Sequence, residues 1–255
     1  MEFNYHTHTS RCRHALGDDR EYVKKAINAG IKELGFSDHS PMIFPKDDYF
    51  SGFRMYLSDT EDYVHSVNNL KQEFKGKINI YLGYETEYYP RLFENNIKYL
   101  EQFGFDYLIL GQHYTDNEYE PFAHYCGSPT DSIALFDKYI NQALSGIETG
   151  RFLYLAHPDL FNFVGNKSIY IKKMTDFCRN LKDLDCPLEF NLLGFGDKRH
   201  YPSKEFWQIV AKTGNRVVIG FDAHNPNTFM NKKLVSQANE YLNALGIKPI
   251  ENFLL

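Results

Sequence analysis

The chain predicts an α/β fold whose parallel sheet curls into a barrel, and three observations point there. Seven short apolar runs recur along its 255 residues, most of them followed by helical periodicity, the pattern of parallel β/α units. Residues able to hold a metal stand at the C-terminal end of at least six of those runs. An open sheet concentrates its site at one crossover, whereas a barrel brings the C-terminal end of every strand to one rim. No internal repeat, low-complexity tract or linker interrupts the chain, so residues 1–255 read as a single domain.

The first run, Glu2–Tyr5, leads into His6 and His8, two apart and therefore on one face of an extended chain. His14 follows after a polar turn. Asp18 or Asp19 caps a helix through Tyr22, Val23, Ala26 and Ile27, with Gly30 as its stop. The second run, Glu33–Ser37, ends on Asp38-His39. A rim loop, Pro41–Ser58, precedes a helix over about Asp59–Phe74. The third run, Ile78–Tyr84, ends on Glu85 and is followed by a helix over Leu92–Phe103. The fourth, Tyr107–Leu110, ends on His113, ahead of a second long loop, Tyr114–Thr130, and a helix over Ser132–Gly146. The fifth, Phe152–Leu155, ends on His157-Pro158-Asp159, with a helix over Ile169–Leu181. The sixth, Leu188–Leu192, carries Glu189 and Asn191 and opens a loop through Asp197, Lys198, Arg199 and His200, then a helix over Ser203–Lys212. The seventh, Val217–Ile219, leads to Asp222 and His224, and a helix over Asn231–Leu245 closes the chain before Gly246.

Composition narrows the functional classes. Basic and acidic residues number 28 and 33, so a net charge of -5 gives no general attraction to nucleic acid or anionic lipid. No apolar run approaches ~20 residues and the N-terminus has no basic-then-apolar segment, so neither a membrane span nor a signal peptide is expected. The four cysteines form no CxxC pair and are expected as free thiols in the cytoplasm, with Cys12 a small neighbour of the histidine-rich turn rather than a ligand.

The chemistry lies in the histidines. Of ten, His6, His8, His39, His113, His157 and His224 lie just past strands or in the loop entering the first helix, and His14 is a seventh. With Glu85 and Asp222 they are too many donors for one ion and suit two or three divalent cations. Glu87, Asp38, Asp159 and Asn191 are expected to support this set from behind. Such a centre suits phosphate-ester hydrolysis, in which the ions polarise phosphoryl oxygens and hold a hydroxide in line. Glu85, Asp222 and His224 are the expected catalytic residues. Phosphate also wants a guanidinium. Arg199 is the first choice, with Lys198 beside it and Arg11, Arg13 and Arg54 as rivals.

In order, His6-Thr7-His8, Gly35-Phe36-Ser37-Asp38-His39, Gly83-Tyr84-Glu85, Gln112-His113, Ala156-His157-Pro158 and Gly220-Phe221-Asp222-Ala223-His224 resemble the motifs of the polymerase-and-histidinol-phosphatase (PHP) superfamily across the whole chain. Each is weak alone; the six in order are specific. The resemblance implies a distorted (β/α)7 barrel with a trinuclear metal site at the C-terminal rim. It implies one ion on His6, His8, Glu85 and Asp222, a second on Glu85, His113 and His157, and a third on His14, His39 and His224, the metals being zinc, iron or manganese.

Within that superfamily the chain is similar to stand-alone histidinol-phosphatases of histidine biosynthesis. The likeness rests on its length, on His14 within Arg11-Cys12-Arg13-His14, on the segment Ser37 to Pro41, and on Glu189–Asn191 read with Tyr201-Pro202-Ser203. Where relatives often carry Asn-x-x-Gly-Leu-Arg, Asn191-Leu192-Leu193-Gly194 is here followed by Phe195-Gly196-Asp197-Lys198-Arg199, which displaces the arginine. The implied substrate is L-histidinol phosphate, a small phosphate monoester. Asp47, Asp48, Asp116 and Glu118 are loop carboxylates available to its ammonium group. Monomer and homodimer both fit. The competing readings are a nucleotide phosphatase or 3′-end nuclease on the same scaffold, metal-dependent amide or ring hydrolysis, and a metal-binding module without turnover. A nuclease would want a basic track, which the chain does not show.

Overall fold

The computed structural model describes residues 1–45, 49–251 and 253. In chain order its elements are β1 (Phe3–Asn4), α1 (Asp19–Ala29), β2 (Glu33–Phe36), α2 (Thr60–Glu73), β3 (Asn79–Thr86), α3 (Phe93–Glu101), β4 (Tyr107–Leu110), β5 (Tyr114–Thr115), β6 (His124–Tyr125), α4 (Ile133–Glu148), α5 (Lys167–Asp183), β7 (Leu188–Asn191), α6 (Leu192–Asp197), α7 (Lys204–Thr213), β8 (Val217–Gly220) and α8 (Lys232–Ala244). The helix starts follow local chemistry. Asp18 and Glu21 form a reciprocal capping box on α1, and Gly30 ends that helix at a φ of 88°. Ser132, Asn166, Ser203 and Asn231 cap α4, α5, α7 and α8 by accepting backbone N–H bonds.

Strands β1, β2, β3 and β4 form a parallel sheet in that order, and β7 pairs in parallel with β8. Strand β3 gives its first four residues to β2 and its last four to β4, a stagger that curls the sheet. Between the two groups Leu155 bridges Leu110 on one side and Leu188 on the other, and Thr7 bridges Ala223. The fifth run is thus a bridge rather than a regular strand. It has room for little more before His157 turns to a φ of 30°.

Two further departures have local causes. The loop expected after the sixth run begins as α6, because the Asn191 side chain accepts the Gly194 N–H at 2.9 Å, while Gly194 and Gly196 depress the helical signal in the sequence. The loop Tyr114–Thr130 contains the β5–β6 hairpin.

Alternation along the strands sorts two apolar layers. Tyr107, Ile109 and Val218 point inside the curl with Phe3, Tyr5 and Tyr154. Leu108, Leu110, Leu188, Phe190 and Ile219 point outward and pack under the helices. On β7 the same alternation turns Glu189 and Asn191 inward, and both are buried. All four cysteines are free and buried. No helix among the described residues is long and apolar enough to cross a membrane.

Candidate metal centre

The nine residues expected to hold metal converge at the C-terminal end of the curled sheet. Glu85, at the end of β3, is the hub. Its Oε2 lies 3.6 Å from His6 Nε2, 3.5 Å from His8 Nε2 and 3.0 Å from His39 Nδ1. Its Oε1 lies 2.8 Å from His157 Nε2 and 3.6 Å from His113 Nε2. Past β8, Asp222 places Oδ1 at 3.1 Å from His8 Nε2, 3.5 Å from His6 Nε2 and 3.3 Å from His224 Nδ1. His14 Nε2 meets His224 Nε2 at 2.9 Å. Asp222 and His157 hold positive φ angles of 50° and 30°, a costly backbone for such side chains.

These spacings fit divalent cations. Two donors bound at about 2.0–2.1 Å on a tetrahedral ion stand roughly 3.3–3.4 Å apart. The ring orientations agree. His6 Nδ1–H donates to Glu189 Oε1 at 2.7 Å, His14 Nδ1–H to the Cys12 carbonyl at 2.8 Å, and His113 Nδ1–H to Glu87 Oε1 at 2.8 Å. His8 turns Nδ1 to Asp38 Oδ1 at 3.3 Å, and His224 turns Nδ1 to the Asp222 carbonyl at 3.1 Å. Each contact leaves an Nε2 lone pair facing the centre. His6 Nε2 and His8 Nε2 then stand 3.1 Å apart, which is repulsive without a cation or proton between them. Among the described residues, Glu85 Oε2, His39 Nδ1 and His157 Nδ1 are buried without a hydrogen bond.

The charges point the same way. Burial disfavours the charged form of Glu85, yet His113, His39 and His6 hold its carboxyl well below the usual range. Asp222 is likewise depressed against its burial, by His6, His224 and His8. Burial would lower His6, but Glu189, Asp222 and Glu85 push it up to about 10. His8 is raised well above its ordinary value against its burial, chiefly by Asp222 and Asp38, and His113 is raised against its burial by Glu85 and Glu87. His39 is driven down by burial, and His14 by burial and the neighbouring His224.

The sign of the linkage follows. In the metal-free fold, raised His6 and His8 contribute stability that is complete below about pH 6.5 and lost as pH rises through their folded values; Glu85 and Asp222 contribute stability present above about pH 4 and lost on acidification. A bound cation displaces those protons. Zinc affinity is therefore expected to rise with pH, up to about tenfold per unit for each proton released. Calorimetric titration in buffers of different ionisation enthalpy will count the protons; a pH-independent affinity from 6 to 8 would contradict this charge balance.

The supporting residues separate into those that touch the cluster and those that do not. Asp38 contacts His8, accepts the His39 N–H at 2.8 Å and accepts the Thr9 hydroxyl. Glu87 holds His113. Asn191 donates to Glu189 at 2.9 Å and to Asp222 Oδ2 at 3.1 Å. Asp159 corrects the expectation: it accepts the Ser203 N–H at 2.6 Å at the start of α7 and meets none of the nine. Burial pushes its carboxyl up to about 7. Glu189, noted on the sixth run but given no role at the site from sequence, is fully buried, fixes His6 and accepts the His157 N–H at 3.0 Å. A carboxylate and an amide alternating in an otherwise apolar run were the available signal. Cys12 Sγ faces the Thr9 carbonyl at 3.1 Å beside this cluster.

A cavity of 400 Å³ opens above the cluster. Its floor includes His39, Glu85, His113, His157, Asp222 and His224, and its walls include Phe53, Tyr114, Tyr125, Leu160, Arg199 and Tyr201. Arg199 reaches the cavity while donating to Asp197 Oδ2 at 2.9 Å and to the Tyr201 hydroxyl at 3.1 Å. Lys198, in the left-handed cap of α6, is exposed and does not line it. Asp116 also lies outside it, taken up by Lys138 Nζ at 2.6 Å. Asp47 and Asp48 fall outside the described residues. The rival arginines are occupied: Arg11 by Asp19 and Asp62, Arg13 by Asp59, and the buried Arg54 by Glu87 and Glu118, which also removes Glu118 as a free carboxylate.

The PHP domain family model matches residues 4–192. A "probable histidinol-phosphatase" of Deinococcus radiodurans is 31% identical over 231 residues, covering 87% of this chain and 85% of that protein. A histidinol-phosphatase of Bacillus subtilis is 25% identical over 251 residues, covering 86% and 92%. Among solved structures, histidinol phosphate phosphatase of Lactococcus lactis, complexed with Zn, L-histidinol and phosphate, superposes with a TM-score of 0.74 at 20% identity, over 99% of this chain and 96% of that one. A family model spanning most of the chain and a relative matched along nearly its whole length agree with the strand-end cluster: the chain belongs to the PHP domain family.

Proposed function

We propose that this protein is a histidinol-phosphatase, hydrolysing L-histidinol phosphate to L-histidinol and phosphate with the help of divalent metal ions. The observation that carries the reading is the convergence of seven imidazoles and two carboxylates in one cluster, five of the imidazoles and both carboxylates lining a cavity whose wall presents one arginine. The named relatives and the zinc-containing Lactococcus lactis structure support it. We read the bridges at Leu155 and Thr7 as closing a distorted (β/α)7 barrel.

As the family resemblance implies, His6, His8, Glu85 and Asp222 would hold one ion, Glu85, His113 and His157 a second, and His14, His39 and His224 a third; the donor atoms of His6, His8 and Asp222, of His6, Glu85 and His157, and of His8, His39 and His224 already lie within 4.8 Å of one another. Zinc is the first choice, with iron or manganese compatible with the same N/O donors. Bound there, the ions supply Lewis acidity at the phosphoryl group and acidify water at neutral pH. The chain's own residues do the rest. Arg199 grips the non-bridging phosphoryl oxygens as Asp197 yields its hold, and Tyr201 steadies the guanidinium. The proton released by the attacking water is passed on to the departing alkoxide by way of Asp222 Oδ1 and His224 Nδ1, 3.3 Å apart, with the Asp222 carboxyl left ionised. The P–O bond to water forms, the ester P–O bond breaks, and histidinol leaves neutral at its hydroxyl. Phe53, Tyr114 and Tyr125 give the imidazole of the substrate an aromatic wall. The four unpaired cysteines suit a cytoplasmic, biosynthetic setting.

The deciding experiment is phosphate release from metal-loaded protein over L-histidinol phosphate, a nucleoside monophosphate, a sugar phosphate and a single-stranded oligonucleotide. A strong preference for histidinol phosphate that a chelator abolishes is expected; equal rates on all four would sink the assignment. Arg199→Ala is expected to lower kcat/KM by roughly 30- to 100-fold, the worth of a charge-assisted clamp, with metal content unchanged. Steady-state kinetics beside metal analysis checks this.

A further inference from the structure

We infer that Arg54 is a positioning residue for the metal centre: it fastens both rim loops to Glu87 and, through Glu87, sets the ring of His113. The inference rests on the metal-dependent reading above. Arg54 is 1% exposed, and its guanidinium joins three separate segments. Nη1 donates to the Ser40 carbonyl at 2.9 Å, Nη2 to Glu87 Oε2 at 2.8 Å and also to Glu118 Oε2, and Nε to Glu118 Oε2 at 3.1 Å. Glu118 belongs to the loop Tyr114–Thr130, Arg54 to the loop Pro41–Ser58, and Glu87 to the segment just past β3. The second oxygen of Glu87 holds His113 Nδ1, whose Nε2 faces Glu85 Oε1.

A fork of donors in one plane reaches these acceptors together, and an ammonium cannot. Two buried carboxylates share this one cation, so its loss forces one of them to protonate or move. Glu87 is the one whose movement reaches the ions, because nothing else described orients His113 Nδ1. The neighbouring residue, Phe53, packs its ring 5.7 Å from His113 and 5.2 Å from His39, so the same segment also builds the cavity wall. Loop closure and ligand orientation are coupled at this guanidinium.

The test is a cycle of Arg54→Lys and His113→Ala in the full chain, read as zinc bound per chain at free zinc fixed by a competing chelator, with thermal melting as the check on folding. Arg54→Lys is expected to weaken one zinc per chain tenfold to a hundredfold, the usual effect of losing a residue behind a ligand. In the His113→Ala background it is expected to change zinc binding no further, because Arg54 acts through that ring. Wild-type zinc affinity in folded Arg54→Lys, or a further loss of the same size in the His113→Ala background, would overturn the inference and leave Arg54 a structural ion pair. Should Arg54→Lys not fold, Glu118→Gln keeps the shape but loosens the anchor that holds the guanidinium against Glu87; a three- to tenfold loss at the same zinc supports the coupling, and wild-type affinity overturns it. Zinc alone is the probe, so a failure of the histidinol phosphate assignment shows as absent turnover with this cycle unaffected.

Discussion

Glu85→Gln is expected to strip most of the metal from the protein and to lower phosphate release by roughly a thousandfold or more. The amide matches the carboxylate in size, so packing at the end of β3 is preserved. What changes is charge and polarity at the atom pair that five histidines face, His6, His8, His39, His113 and His157. A glutamine presents an N–H₂ group to imidazole nitrogens that here face a shared anion, and its neutral amide is a poorer ligand for a divalent cation. The metal-free histidines also lose the carboxylate that raises His6 and His113. Metal analysis, turnover and a thermal melt of the same preparation separate the effects. Full metal content with wild-type turnover would refute the role of Glu85 as the shared anchor.

The second large effect comes from one methyl group. A Cβ on Gly111 would stand 1.9 Å from Glu85 Oε1, 2.5 Å from its Cδ and 2.7 Å from its Cγ. The backbone cannot retreat freely, because the Gly111 N–H is bonded to the Thr86 carbonyl at 3.2 Å. Gly111→Ala must therefore push the carboxylate of Glu85 out of register, and a displacement near 1 Å costs on the order of a hundredfold in rate. Gly220→Ala is the parallel case, its Cβ falling 1.9 Å from Glu189 Oε1. Its effect is expected to be smaller, about ten- to a hundredfold, since Glu189 orients His6 from behind. Gly52→Ala, with open space at its Cβ, is the control and is expected to leave turnover and metal content unchanged. Equal activity in Gly111→Ala and Gly52→Ala would show that Glu85 tolerates the shift and that its placement matters less than its charge.

By itself the sequence determined the alternation of strands and helices and the position of most metal-site candidates just past a strand, with His14 in the turn that enters the first helix. Those features are local: period-2 and period-3.6 patterning, caps such as Asp18 and Ser203, and donors that follow directly on an apolar run. His6 and His8, Glu85, and Asp222 with His224 were legible for that reason, as was the exit of Arg199 past the sixth run. Tertiary structure alone decided the partners of the remaining charges. Lys198 and Asp116 lie on rim loops as Arg199 does, yet one is exposed in a helix cap and the other is held by Lys138. Arg54 resembled a loop cation until Glu87 and Glu118, 33 and 64 residues away in the chain, closed around it. Glu189 looked like a strand residue until His6, 183 residues distant, turned its Nδ1–H toward it. Local sequence specifies which backbone conformation each segment prefers. The pairing of buried charges is settled only when distant segments pack, because desolvation makes a burial site tolerable only where an opposite charge or a hydrogen bond has arrived from elsewhere in the chain.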